Sequence, residues 1–203
     1  MGTAAAEVGP ATYFRDLGLR ANSLTLDLAP GGLASAQIAL LGQNQAVAAA
    51  SIDDTPGTLG VYQRFGGVNA TIEREGVALG NVVSAQITFS NNLDPVRVIR
   101  PDALVEDLDL GLVSCSGSLV ARLRDDTLLG DGGGAPIELV WRWSRSATES
   151  VVFTAGRVFL PKTKHAVSGP AAIEATYSWQ AAKDGGGTGA TLQVVVTNDV
   201  ASY

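Results

Sequence analysis

The sequence predicts an all-β protein, an antiparallel β-sandwich or partly open barrel with one short helix. The first reason is that apolar and polar residues alternate with a period of two in many short segments, as in strands that bury one face. The second is that clusters of Gly, Asn and Asp separate these segments, and such residues tolerate the positive φ of hairpin turns. The third is that helical periodicity is scarce. Many short strands joined by tight turns are typical of a sandwich or barrel.

The alternation is clearest in residues 23–28, 83–90, 137–143 and 173–181, where every second side chain is apolar. Further strands are expected near 33–41, 68–75, 96–100, 114–123, 151–160 and 190–197. The short helix is expected to begin near Asp125, where Asp125, Asp126 and Thr127 can cap a segment that runs through Leu129.

The tetrapeptide Ser-Ala-Gln-Ile occurs at residues 35–38 and again at 84–87. This similarity predicts a strand–turn–strand unit that is built twice, with chance as the alternative in a chain so rich in Ala and Gly. No linker or change of composition divides the chain. We therefore expect one domain over 1–203, with an N-terminal arm at 1–16, a long loop at 43–65 and a C-terminal tail at 198–203.

Composition argues against nucleic-acid binding, because the net charge is −6 and the 14 Lys and Arg residues are scattered along the chain. The single cysteine, Cys115, excludes an intramolecular disulfide and is interpreted as a small buried hydrophobe. Residues 1–9 do not resemble a secretory signal, and no apolar stretch reaches the ~18 residues that a membrane span needs. The expectation is a soluble protein, made in a reducing cytoplasm, with no membrane partner.

The chain offers little chemistry, and we expect no catalytic residue, no metal and no cofactor. His165 is the only histidine and lies near lysines in an expected loop without a G-x-S-x-G motif, so a solvated loop is favoured over a hydrolase triad. Residues 185–190 loosely match G-x-G-x-x-A, but a strand follows them, which favours a hairpin turn. Trp141, Trp143 and Trp179 lie on apolar strand faces, so core packing is favoured over sugar stacking.

The densest group of carboxylates is Asp102, Glu106, Asp107 and Asp109. This acidic quartet lacks the D-x-D-x-D-G spacing of a calcium loop. We interpret it as a solvated acidic loop.

Several segments together resemble the tail tube proteins of siphophages, the bacteriophages with long non-contractile tails. The resemblance rests on the order and spacing of strand-and-turn patterns from about residue 17 to the C-terminus. They are residues 17–26 with the Gly-containing turn and strand 30–42, the strand 83–90 with its Asn-Asn-Leu turn at 91–93, residues 113–123 with the acidic segment 125–129, and residues 159–162 with 177–181 leading into 192–198.

The resemblance implies a structural subunit that forms stacked rings, commonly hexameric, whose inner sheets join into a barrel around a lumen. It implies assembly around a tape-measure protein with other tail proteins, in a virion made in the bacterial cytoplasm. DNA would pass through without specific binding, since carboxylates repel phosphates, and the acidic quartet is our candidate for a lumen or ring-contact loop. The alternatives are another virion β protein, such as a tail terminator or a decoration protein, and a carbohydrate-binding β-sandwich module.

Overall fold

The computed structural model describes residues 13–48, 50, 64–102, 104–122, 128, 133–162, 173–185 and 189–198. The described chain is almost entirely β, as predicted. A short 3-10 turn lies at Gly67–Asn69. The strands are β1 (Tyr13–Leu17), β2 (Arg20–Leu28), β3 (Ser35–Leu41), β4 (Asn44–Ala48), β5 (Ala70–Arg74), β6 (Val77–Ala78), β7 (Val82–Ser90), β8 (Asp94–Val96), β9 (Asp107–Asp109), β10 (Ser114–Arg122), β11 (Ile137–Ser146), β12 (Glu149–Phe159), β13 (Glu174–Ala181) and β14 (Gln193–Thr197).

One large antiparallel sheet dominates, in the order β3-β2-β7-β10-β13-β12-β11-β5-β6, with β14 also paired to β12. The long strand β12 joins two arms of this sheet. Its residues Val158 and Phe159 pair with β13, whereas Ser150–Thr154 pair with β14. The first arm therefore consists of β3, β2, β7, β10 and β13, and the second of β12, β11, β5, β6 and β14. The result is sandwich-like rather than a closed barrel.

Buried side chains from both arms form one core between them. Trp141 on β11 and Trp179 on β13 contact each other, with ring centroids 5.1 Å apart, although β12 lies between their strands. In β13 every second residue is buried, as its alternating sequence predicts. All three tryptophans are buried, which confirms their interpretation as core residues.

A bulge in β12 keeps its core face continuous. Leu139 is opposite Ala155, but two residues earlier Ile137 is opposite Val158, so β12 contains one extra residue. Ala155 and Val158 are both fully buried. The irregularity returns Val158 to the core face on which simple alternation would not place it.

Most predicted strands are confirmed, but the strand expected near 96–100 ends at Val96 and begins at Asp94. Strands β1, β4, β6 and β9 were not expected. Strand β4 lies within the stretch 43–65 that was predicted as a loop, and β1 overlaps the predicted N-terminal arm. Residues 123–127, where the helix was expected to begin, and the tail beyond residue 198 lie outside the described residues.

The two Ser-Ala-Gln-Ile tetrapeptides both lie in strands, β3 and β7, and these strands flank β2 on its two sides. Only the first copy forms a hairpin, because β2 pairs with β3 whereas β5 does not pair with β7. The repetition of sequence thus produces two strands in similar surroundings, but not two copies of one strand–turn–strand unit.

Candidate assembly surfaces

Strand β3 forms one border of the large sheet. In the part of the chain that the structure describes, it pairs along its length only with β2, so its outer side presents backbone N–H and C=O groups to solvent. Six of its seven residues are exposed. Ile38 and Leu40 are 59% and 52% exposed. An open border with exposed apolar side chains is a surface on which another strand can pair.

Strand β14 forms a second border. Among described residues it pairs only with β12, and all five of its residues are exposed, including Val194, Val195 and Val196. Leu192 and Val194 face Leu24 and Ile38 of the first arm across a depression of about 280 Å³. The borders formed by β3 and β14 therefore lie on either side of the same opening of the sandwich.

Next to this opening, the two arms enclose an apolar cleft of about 500 Å³. Residues from both arms and from the segment before the 3-10 turn line it: Leu26, Leu33, Ala34, Ser35, Ala36, Arg64, Phe65, Trp143, Val151 and Phe153. Arg64 is the only charged residue among them, and no ion pair to its guanidinium forms within the described residues. Among the described residues, the cleft is thus an apolar surface with a guanidinium at its lining that no described carboxylate pairs with.

Strands β1 and β4 extend the β2–β3 hairpin beyond the large sheet. Leu17 is opposite Asn44 and Arg20 is opposite Leu41, so the pairing keeps one register across the interruption. Gly18, at φ +64°, lies in that interruption. The Gln43 N–H donates to the Leu17 carbonyl oxygen at 3.0 Å and holds the two chains together there. We call the β1–β4 extension the ribbon.

The ribbon has an apolar patch on one face. Phe14 and Val47 are directly opposite each other and are 63% and 70% exposed. Asp16 and Gln45 form the next pair on the same face, since side chains alternate along a strand, and Gln45 Nε2 donates to Asp16 Oδ1 at 2.9 Å. The ribbon contributes no residue to the core cluster, so its own fold gives no reason for this patch.

Arginines offset most of the acidic quartet. Arg100 binds Asp102 at 2.9 Å and also pairs with Glu106, and Arg20 pairs with Asp107 at 3.0 Å. The hydrogen bonds from Arg100 lower the pKa of the Asp102 carboxyl below its ordinary value. The quartet is therefore largely ion-paired.

Asp107 and Asp109 also lie on strand β9 and not in a loop. Asp109 is opposite Asp94 of β8, and no ion pair to either carboxylate forms among the described residues. Within the described part of the chain, the charges of Asp94 and Asp109 are thus not offset by an ion pair. Sequence reasoning missed both arginine pairings. The pairing of Arg20 could not be found from local sequence, because Arg20 is far from the quartet in the chain, whereas Arg100 lies only two residues before Asp102.

The Asn-Asn-Leu turn connects the β8–β9 pair to the hairpin. Asn91 Nδ2 donates to the Ala21 carbonyl oxygen at 2.9 Å, and the Leu93 N–H donates to Asn22 Oδ1 at 2.9 Å. Asn92 adopts φ +48° and donates from Nδ2 to the Leu112 carbonyl oxygen at 2.7 Å. This turn thus positions β8 and β9 beside the base of the ribbon.

The described residues contain little reactive chemistry. No three His, Cys, Asp or Glu side chains among them come together as a metal site, and none of their helices has the length and apolar character to cross a bilayer. Cys115 is fully buried, and burial raises its pKa to about 11. His165 lies outside the described residues. The prominent surfaces are therefore borders and patches suited to protein contacts.

A family described as "Phage tail tube protein" matches residues 1–181 of the chain. No curated protein matches it.

Proposed function

The chain belongs to the phage tail tube protein family, and from this premise we propose that copies of it form stacked rings that enclose the channel for genome delivery. Membership of the family identifies the protein as a structural component of the phage tail. The finer proposal is a hexameric ring in a long non-contractile tail, assembled around a tape-measure protein. Its host would synthesise the subunit in the cytoplasm before incorporation into the virion.

The exposed border formed by β3 is the single observation that carries the proposal. Pairing of β3 with a border strand of a neighbouring copy would satisfy the unpaired backbone groups and cover Ile38 and Leu40. Strand β14 and the short strand β6 offer borders for the other side of each contact. Copies joined in this way extend one sheet from subunit to subunit, and a constant rotation between them closes a ring.

Charge supports a channel that does not retain DNA. The net charge of −6 disfavours phosphate binding. We place the acidic quartet at the lumen or at a ring contact. Asp94 and Asp109 lie opposite each other and have no arginine partner among the described residues, so we expect their charges to repel phosphate.

Negative-stain electron microscopy of the purified protein tests the proposal directly. We expect rings and stacks of rings, and we expect Ile38→Glu with Leu40→Glu to abolish them, because charged side chains on a border oppose strand pairing. Leu110→Glu is the matched control, since Leu110 is also a large apolar side chain and is even more exposed, at 78%, but lies outside β3. Circular dichroism should show the same β content for all three proteins.

A strictly monomeric wild-type protein at high concentration, even after addition of preformed tail ends, would overturn the proposal. Isolated rings that never stack would instead favour a tail terminator.

A further inference from the structure

The ribbon and the apolar cleft lie at opposite ends of one hairpin. Strand β2 leaves the ribbon at Arg20 and reaches the lining of the cleft at Leu26. Six residues of a strand span about 20 Å, at roughly 3.3 Å per residue. The ribbon extends further away, from Leu17 to Tyr13. Phe14 therefore cannot reach the cleft of its own chain.

The chemistry of the two ends is complementary. The cleft combines apolar side chains, among them Leu26 and Phe153, with the guanidinium of Arg64, which pairs with no carboxylate in the described part of the chain. The ribbon presents the apolar pair Phe14 and Val47 and, two residues along β1 on the same face, the carboxylate of Asp16. Residues two apart on a strand are about 7 Å apart, so the ribbon presents its apolar pair and its carboxylate within a short distance, as a cleft of about 500 Å³ lined by both apolar residues and Arg64 requires.

We propose that the ribbon of one copy docks in the apolar cleft of a second copy, with Phe14 and Val47 against its apolar lining and Asp16 paired with Arg64. This inference rests on the proposed self-assembly. It names the contact that makes successive copies join head to tail. Each copy has one ribbon and one cleft on different parts of its surface, so the contact is heterologous. A heterologous contact repeats without limit unless a ring closes it.

Charge reversal in separate copies provides the sharpest test. Asp16→Arg places two cations together at the contact, and Arg64→Asp places two carboxylates together, so we expect each variant alone to lose about tenfold or more of its pelletable assemblies. A mixture of the two variants should assemble again. In an alternating arrangement every ribbon then meets a cleft of opposite charge.

Arg15→Glu is the matched control, because Arg15 lies on the opposite face of the same strand. We expect the Arg15→Glu variant to assemble as the wild type does. Asp16→Asn removes the charge but keeps the ribbon intact, since an amide oxygen can still accept the hydrogen bond from Gln45. We expect Asp16→Asn to weaken assembly less than Asp16→Arg does.

Disulfide trapping gives a second readout that does not depend on charge. A Val47→Cys copy mixed with a Leu33→Cys copy should form an intermolecular disulfide under mild oxidation, since both side chains are exposed on the proposed partner surfaces.

Failure of the charge-reversed mixture to assemble, or trapping of Val47→Cys on a different tail protein, would overturn the docking. If wild-type protein forms rings while the single charge variants also assemble normally, the docking is wrong and the proposed function stands.

Discussion

Gly117 on β10 is directly opposite Trp179 on β13, and the indole occupies the space that a side chain at position 117 would need. A Cβ atom there would overlap both the Trp179 ring and the Gln86 carbonyl oxygen of β7. The glycine thus allows a buried tryptophan to lie across a central strand of the first arm. The same tryptophan contacts Trp141 and links the two arms.

Gly117→Ala is expected to lower the free energy of unfolding by about 1–3 kcal/mol, because the methyl group must displace backbone or a buried ring. Urea denaturation followed by tryptophan fluorescence measures the change. Gly80→Ala is the control, since no atom lies within 4 Å of a Cβ built at that position. Its effect should be about 0.5 kcal/mol or less, and equal losses for the two variants would contradict the packing described above.

Cys115 is expected to be inert toward thiol reagents in the folded protein. It is fully buried in β10, opposite Phe89 on one side and Ala181 on the other. With a pKa of about 11, on the order of one thiol in a thousand is ionised at pH 8, and the thiolate is the reactive form.

An Ellman assay at pH 8 should therefore show no prompt reaction in buffer and one equivalent in urea. A Leu110→Cys variant gives the reaction rate of an exposed thiol in the same fold. If Cys115 in the native wild-type protein reacted as fast as Cys at position 110 in the variant, Cys115 would be accessible.

Arg100→Ala is expected to raise the pKa of Asp102 toward its ordinary value, because hydrogen bonding from Arg100 is the largest cause of the lowered pKa. Carbon-detected NMR titration of the carboxyl groups measures the shift. Arg97→Ala removes a nearby arginine for which no ion pair is found in the described part of the chain, and it should leave the Asp102 titration unchanged.

The stabilising effect of this pair should also depend on pH in a defined direction. A carboxyl group with a lowered pKa in the folded state stabilises the fold above its ordinary pKa of about 3.9. That contribution is lost as the pH falls through the lower folded value. The difference in unfolding midpoint between wild type and Asp102→Asn should thus be constant at neutral pH and shrink in acid, and a difference that grows on acidification would contradict the assignment.

The sequence predicts most strands of the large sheet, including the exposed border strands β3 and β14, and leaves β1, β4, β6 and β9 undetected. In β13 and β7 the alternation records directly which side chains enter the core. In β1 every residue is exposed, so neither face is selected for apolar character and no period of two develops. Phe14 and Val47 form one apolar patch only because β1 pairs with β4, and these strands are distant in the chain.

The acidic quartet shows a second limit. Its carboxylates are obvious in the sequence, and Arg100 is close enough to be suspected as a partner. Arg20 reaches Asp107 only because the Asn-Asn-Leu turn brings β9 against the base of the hairpin. Long-range ion pairs such as Arg20–Asp107 depend on the topology of the sheet, so the local composition of the sequence does not predict them.

The interruption at Gly18 divides the hairpin into two segments with different constraints on their evolution. Substitutions in β2 must suit Leu26 and the interior of the same molecule. If the ribbon docks as proposed, substitutions in β1 and β4 must suit the cleft of a second copy instead. Under the proposed docking, two related phages that infect one cell would build separate tails if their subunits differ in the ribbon and the cleft, even where their cores are alike.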